Sequence, residues 1–336
     1  MSRTLRIATF NLENLDDTTA DPPFEQRCAV LRPQLRRLDA DVLCLQEVNA
    51  QRPVKGRPRT LRGLETLLKD TPYEGFHLSG GAGRDGFADK HNLVIASRWP
   101  VRSHRLIRHD LVPPPLVRMV TATPASAGPE PVSWDRPVLQ AEIELPGGRT
   151  LHVFNLHLRA PLAAPVPGQK KGALSWHSVA GWGEGFFIAS VKRAGQALET
   201  RLAVERLFDA DPQALVVVAG DYNAEGRETP VRLIRGDPDD TGNGHLAMRA
   251  LVPLERSVPE DRRFSVLHGG QAVMLDHLLV SRGLLAWFRG AEIHNEALGD
   301  EVLAHATTAR SPESYHAPVV ATFAFPDDLV SGRITP

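Results

Sequence analysis

The chain of 336 residues has only two cysteines, Cys28 and Cys44. That is too few for a disulfide framework, and their helix-like and strand-like apolar settings suit buried thiols in a reducing compartment. No run approaches the roughly 18 apolar residues needed to span a bilayer, and the opening MSRTLRIATF lacks the apolar centre of a secretory leader. Neither sign of charge is in excess, with 39 Lys plus Arg against 40 Asp plus Glu. No global positive field would therefore hold the protein on a nucleic-acid backbone or an anionic membrane, and any polyanion contact must be local. Repeats and low-complexity tracts are also absent, which excludes solenoids and leaves disorder to loops and the tail. The expectation is a soluble cytoplasmic protein without a transmembrane segment; its oligomeric state is left open.

What is present is ordinary globular composition, 42% hydrophobic and 24% charged, in a length that one domain can fill. A single catalytic domain over residues 1–326 with a tail at 327–336 is expected. Leu5 to Asn11 and Asp41 to Glu47 read as strands, the second apolar enough to be covered on both faces. Helical spacing appears over Phe24 to Leu38, where Pro33 predicts a kink or a delayed start, over about Thr60 to Lys69, and over Val191 to Phe208. Further strands are expected near Phe76 to Leu78, Asn92 to Ser97, Ala214 to Ala219, Val273 to Val280 and Pro318 to Phe325, with a hairpin from Val138 to Leu158 turning at Pro146-Gly147-Gly148. Proline-rich Val112 to Pro137 reads as a loop. Strands separated by helices, with hairpins in both halves, suggest a mixed-sheet α/β sandwich.

Five short polar signatures stand at or beside the ends of these apolar runs: Asn11 in RIATFNL, Glu47 in LCLQEV, Asn155 and His157 in FNLHL, Asp221 and Asn223 in VVVAGDYN, and Asp276 with His316 across LDHLLVS and SYHAPVV. Side chains two apart on a strand share a face, so Asn155 pairs with His157, and Asp221 with Asn223 if the strand continues. Strand ends and adjoining loops form the open rim of a helix-covered sheet, where polar groups converge without burying unpaired charge.

In their order along nearly the whole chain, from TFNL to YHAPVVATF, these motifs resemble the endonuclease/exonuclease/phosphatase superfamily, the deoxyribonuclease-I-like fold. The resemblance implies an α/β four-layer sandwich of two mixed β-sheets flanked by helices. It implies that Glu47, with Asn11 beside it, holds a catalytic Mg2+ or Mn2+, an ion that takes oxygen ligands and few carboxylates. Asp221 would orient and deprotonate the attacking water, while Asn223 and Asn155 donate to phosphate or hold its neighbours. His316 would contact a non-bridging oxygen with Asp276 on its other ring nitrogen, and His157 would donate to the phosphate or to the leaving oxygen. One departure stands out: Ser314-Tyr315-His316 replaces the usual Ser-Asp-His, so a site leaning on Glu47, with weaker metal binding or a single metal, is expected, and the Tyr315 hydroxyl could hydrogen-bond phosphate instead.

Asn92, after His91, resembles the family's segment that places an asparagine or aromatic near the substrate, although a strand-initiating polar pair explains it as well. His277 and His152 face away from the rim and read as packing or structural hydrogen bonds. Two loops bear on substrate choice. Gln51 to Arg62 carries Arg57 and Arg59 among its five cations and no acid, which makes it either a binder of flanking phosphates or a solvated basic loop. Ala160 to Ser190 is a Pro- and Gly-rich excursion with Lys170, Lys171 and Trp176, placed to contact substrate as a lid; its aromatics among lysines suit unpaired bases, a lipid headgroup, a protein partner or simple packing. The function expected is hydrolysis of a phosphate-containing substrate, a phosphodiester with DNA or RNA first, a small phosphoester such as an inositol phosphate or phospholipid headgroup next, and a non-catalytic phosphate-binding scaffold behind both.

Overall fold

The computed structural model describes residues 4–19, 21–52, 54–81, 86–306 and 311–325, so the tail expected at 327–336 lies outside the described residues. In chain order the first half contains β1 (Thr4–Leu15), α1 (Phe24–Leu38), β2 (Val42–Val48), α2 (Arg62–Leu68), β3 (His77–Ser79), β4 (Asn92–Ser97) and β5 (Val101–Ile107). Two short strands, β6 (Leu116–Val117) and β7 (Glu130–Pro131), pair within the proline-rich stretch, and β8 (Val138–Glu144) and β9 (Thr150–His157) form the expected hairpin. The second half contains α3 (Val179–Ala210), β10 (Leu215–Asp221), α4 (Thr229–Arg235), β11 (Val252–Pro253), β12 (Val266–His268), β13 (Gln271–Val273), β14 (Asp276–Val280), β15 (Phe288–Ile293) and β16 (Val319–Ala324).

Strand alternation sorts the apolar residues into layers. On β1, Leu5 and Ile7 enter a core shared with Leu151 and Val153 of β9 and Val217 and Ala219 of β10, while Ala8, Phe10 and Leu12 point the other way, under α1 and α2. On β9 and β10 the alternate residues Phe154, Leu156, Val216 and Val218 pack beneath α3 and α4. The result is helix, sheet, sheet, helix, with one six-stranded sheet in the order β15-β16-β1-β2-β4-β3 and the other β11-β14-β10-β9-β8-β5. Both are mixed: β1 runs parallel to β2 and β9 parallel to β10, among otherwise antiparallel pairs. This is the four-layer sandwich that the motifs imply.

The face that is apolar between the sheets turns polar toward one end. Continuing the inward register from Leu5 and Ile7 leads to Thr9 and Asn11; from Val42 and Cys44 to Gln46; from Val153 to Asn155 and His157; from Ala219 to Asp221; and from Leu278 back to Asp276. The polar group is the mouth of the inter-sheet core. Both cysteines are buried free thiols.

Two elements differ from the sequence expectation. Helix α1 carries straight through Pro33. Helix α3 starts at Val179 rather than Val191, so residues 179–190 of the expected lid are helical. Its glycines, poor helix formers in isolation, are used for close approach: a Cβ on Gly185 would lie 2.3 Å from the Ala164 carbonyl oxygen and 2.8 Å from the Trp176 ring.

Candidate active site

Two irregularities aim the groups at the mouth. The β1–β2 register shifts between Asn11 and Leu15, and the β2–β4 register shifts between Leu45 and Val48. Between those shifts Glu47 adopts φ 57°, and the bulge swings a side chain that regular alternation would send outward into the mouth. Five of the eight non-glycine residues with positive φ among the described residues, Glu13, Asn14, Glu47, His91 and Asn223, lie around this centre. Such conformations cost of the order of 1–3 kcal/mol each and persist where the surroundings over-determine them. Gly220 serves the same end, since at φ 142° a Cβ there would sit 2.0 Å from the Leu156 carbonyl oxygen, and only glycine lets β10 deliver Asp221 beside β9.

Around the centre, Asn11 Nδ2 donates to Asp221 Oδ2 at 3.1 Å and to Glu47 Oε1 at 3.4 Å. Asn14 N–H donates to Glu47 Oε2 at 3.1 Å. His157 Nε2 stands 3.3 Å from Asp221 Oδ2 and 3.8 Å from Glu47 Oε1, and His91 Nδ1 stands 3.5 Å from Glu47 Oε2. Asn223 grips Asp221 twice, its N–H on Oδ1 at 2.8 Å and its Nδ2 on Oδ2 at 3.1 Å. His316 Nδ1 lies 2.8 Å from Asp276 Oδ2, and Asp221, Asp276 and His316 present ligand atoms within 4.8 Å of one another. Ser314 Oγ ties this last segment to β1 by donating to the Asn11 carbonyl at 2.7 Å.

Burial and like charge push the Asp221 carboxyl up to about 7, the first through desolvation and the second chiefly through Asp276. Burial opposes the charge on His316 as well, but Asp276, Asp221 and Glu47 outweigh it and raise the imidazolium to about 10. Glu47 is also desolvated, yet the histidines facing it, His91 first, hold its carboxyl well below the usual range. His157 goes the other way: burial, reinforced by the Arg136 guanidinium, keeps it neutral. One face therefore carries a base poised near neutrality beside an imidazolium.

Several expected site residues are placed otherwise. Asn155 is fully buried and donates to the Leu45 and Val94 carbonyls, both at 2.9 Å, while its Oδ1 accepts from Gln46 Nε2 at 2.7 Å. It clamps one sheet to the other and cannot donate to a phosphate. Asn155→Leu should cost about 2–4 kcal/mol in urea unfolding, because three buried partners lose their bonds at once. The Asn11 oxygen accepts from Glu13 N–H at 2.9 Å, so Asn11 binds the two carboxylates together instead of adding a metal oxygen. His157 directs Nε2 at the Asp221 and Glu47 carboxylates and is only 3% exposed.

Asn92 is a structural tie, donating to the Val48 and Ala88 carbonyls at 2.8 Å, and its neighbour His91 takes the place at the site. Tyr315 directs its hydroxyl at Ser311 N–H, 3.2 Å away, while its own N–H donates to Glu13 Oε2 at 2.9 Å; it walls a cavity of about 380 Å³ with Glu13, Asn14 and Lys90 beside Glu47. Arg59 is spent on Asp89 at 2.7 Å and the Ala50 carbonyl, whereas Arg57 is exposed and has no such tie among the described residues. Lys170 sits 4.4 Å from the Trp176 ring centroid, and Trp176 packs into a small core with Val166 and Ile188, so this pair braces the excursion rather than meeting substrate; Lys171 is exposed. His277 is structural as expected, 2.6 Å from Glu255 and 2.9 Å from the Ala224 carbonyl.

Sequence reasoning passed over Arg136. It stands two residues before β8, with Nη1 3.4 Å from the Leu158 carbonyl, buried enough to depress its own basicity, and near enough to Glu47 and Asp221 to feel both charges. No carboxylate lies within ion-pair distance of it among the described residues.

The sequence profile of the Endonuclease/Exonuclease/phosphatase family matches residues 8–311. Among curated proteins none matches by sequence. The fold is similar to an endonuclease/exonuclease/phosphatase family protein from Bacteroides thetaiotaomicron, at 16% identity and TM-score 0.57 over 96% of this chain and 95% of that one. It is similar to a mannosyl-6-phosphatase from Bacteroides thetaiotaomicron VPI-5482, at 16% identity and TM-score 0.54 over 94% and 98%. A 3'-5' exonuclease from Neisseria meningitidis matches at 16% identity and TM-score 0.54 over 96% and 100%. At these identities the likeness is one of fold, and the substrates in those names differ.

Proposed function

Since the chain belongs to the endonuclease/exonuclease/phosphatase family, whose members are hydrolases acting on phosphoesters, we propose that the cluster at the sheet mouth hydrolyses a phosphodiester with a divalent cation, nucleic acid being the first substrate to try. The observation that carries this reading is the meeting of Glu47, Asp221 and the Asp276–His316 pair from four strands or their flanking segments at one point.

The donor set suits a hard cation. Three carboxylates, Glu47, Asp221 and Asp276, crowd one space, Asp276 Oδ1 is buried with no hydrogen-bond partner, and Asp221 is forced toward neutrality by the crowding. A positive ion relieves all three strains, and Mg2+ or Mn2+ prefers such oxygens. Glu47 would hold it, because it is the carboxylate most strongly favoured as the anion, whereas His316 is a protonated partner of Asp276 and has no free lone pair to offer. When bound, the ion supplies charge neutralisation at the phosphoryl and leaving oxygens.

The protein's own groups do the rest. Asp221, locked in orientation by Asn223 and Asn11, takes the proton of the attacking water as its oxygen bonds to phosphorus and the bond to the leaving oxygen breaks. His316 donates from Nε2 to a non-bridging oxygen, held in that tautomer by Asp276. Arg136 adds a desolvated positive charge, worth more in this setting than at the surface. The test compares a single-stranded oligonucleotide, bis(p-nitrophenyl) phosphate, p-nitrophenyl phosphate and an inositol phosphate in Mg2+ or Mn2+. Diester cleavage outpacing monoester cleavage is expected. Turnover of monoesters alone would replace the diester reading with the small-phosphoester one, and binding without turnover of any would replace it with the scaffold.

A further inference from the structure

Helix α3 is longer than the sheet it covers. Its buried stripe, Arg193, Ala197, Thr200, Val204 and Phe208, lies over β9 and β10, with Ala197, Val204 and Phe208 packed against Phe154, Val216 and Val218. Helical spacing extends the same face toward the N-terminus through Phe186, Trp182 and Val179. There the stripe stays apolar but is uncovered, with Phe186 37%, Trp182 45% and Val179 83% exposed. The change happens at Arg193, whose Nη1 donates to the Asn223 carbonyl at 2.6 Å. The stripe thus leaves the sheet at the level of the Asp221–Asn223 turn, and beyond it overlooks the strand ends that build the site. At 1.5 Å per residue, Phe186 and Trp182 stand about 10 and 16 Å along the axis from Arg193.

Two further features decide what this overhang meets. Trp182 and Phe186 are stacked, with ring centroids 5.4 Å apart and planes 24° from parallel, so they present flat surface in a fixed attitude. The helix that carries them is braced from behind: Glu184 accepts from Val120 N–H and from Thr121 N–H and hydroxyl, and Ala164 N–H donates to the Gly185 carbonyl. Lys192 and Arg193 follow Phe186 along α3, and Arg159 and Arg136 lie beside them near the strand ends, Arg159 through the carboxylate it shares with Lys192 and Arg136 within reach of the Glu47 and Asp221 charges. Lys192 and Arg159 share the single carboxylate of Asp135, Arg193 has Glu228 at 4.0 Å, and Arg136 has none within ion-pair distance among the described residues. This path has more positive than negative charge and ends in flat apolar rings. It is complementary to a chain with an anionic backbone and flat apolar side groups. A duplex has its bases already stacked and paired, so the complementary form is a single strand.

Resting on the phosphodiesterase reading above, we propose that Trp182 and Phe186 form a stacking platform for unpaired bases of a single-stranded nucleic acid whose scissile phosphate lies at Asp221 and His316. The net positive charge that Lys192 and Arg159 leave over Asp135, together with Arg136, meets the intervening phosphates.

The experiment measures kcat/KM in Mn2+ for a short single-stranded oligodeoxynucleotide and for bis(p-nitrophenyl) phosphate, which has no bases, in the wild type, Trp182→Ala/Phe186→Ala and Trp182→Tyr. The ratio of the two constants should fall roughly ten- to a hundredfold in the double variant, from the usual contribution of base–aromatic stacking, and Trp182→Tyr should retain most of it. A ratio unchanged in a folded double variant overturns the platform. So does an unchanged ratio accompanied by lost binding to phosphatidylserine vesicles, which would assign the overhang to a bilayer. If the wild type hydrolyses neither compound, the phosphodiesterase reading is what fails. The platform is then judged by equilibrium binding of the fluorescently labelled oligonucleotide, which the double variant should weaken by the same factor; equal binding overturns it.

Discussion

Glu47→Ala should lower hydrolysis of bis(p-nitrophenyl) phosphate by at least about a hundredfold, the scale of a lost electrostatic or metal-holding contribution at a reacting phosphate. Its neighbours are already engaged: Asp221 is held by Asn223 and Asn11, and Asp276 pairs with His316. The same substitution should leave the protein folded with only a modest loss of stability, because the histidines facing Glu47 and the Asn14 N–H favour its carboxylate in the folded state and that contribution goes with it. The left-handed backbone stays with alanine, which keeps a Cβ at φ 57°, so the only strain relieved is the like charge that helps raise Asp221 to about 7. Loss of activity because the variant no longer folds would mean that Glu47 is structural. Activity lost in a variant that still melts cooperatively is the expected signature of a group kept for function.

The second large effect concerns His316 and pH. Catalysis as derived needs Asp221 ionised and His316 protonated, so kcat/KM should be bell-shaped, rising on an acidic limb at or below about 7 and falling on an alkaline limb near 10. The acidic limb can lie lower because a nearby cation favours the Asp221 anion. His316→Gln should cost about a hundredfold and remove the alkaline limb, since glutamine still donates a hydrogen bond but does not titrate. Stability follows with a definite sign. His316 binds its proton more tightly folded than unfolded, so its contribution is complete below its ordinary value of 6.5 and is lost as pH rises through about 10. Denaturant melts across that window should show wild-type stability declining more steeply than that of His316→Gln. A parallel decline in the two proteins would remove the Asp276–His316 ion pair from the account.

The inter-sheet register was legible because a period of two is strict: Asn155 with His157, and Asp221 after Ala219, fall on the inward face in sequence as they do in space. How deep each lies was not legible. Asn155 is opposed by Leu45 and Val94 of the other sheet, whereas His157, two residues on, meets the Glu47 and Asp221 carboxylates, and only the facing strands decide that. Glu47 could be placed at a strand end, but alternation alone would turn it away from Gln46, and the bulge that returns it depends on pairing with both β1 and β4. Arg59 read as a free cation because its partner Asp89 is far along the chain. The start of α3 was hidden by glycines that lower helix propensity and are explained only by what packs against them, Ala164 and Trp176 in the case of Gly185. Arg136 gave no motif; its sole signal was a charged residue two places before an apolar strand.

The most direct measurement is hydrolysis of bis(p-nitrophenyl) phosphate by protein stripped with EDTA and then given back Mg2+ or Mn2+, with Glu47→Ala purified in parallel. The account predicts turnover that vanishes on chelation, returns with the ion, and is absent from the variant throughout. Full activity in the metal-free wild type, or equal activity in Glu47→Ala, would contradict it.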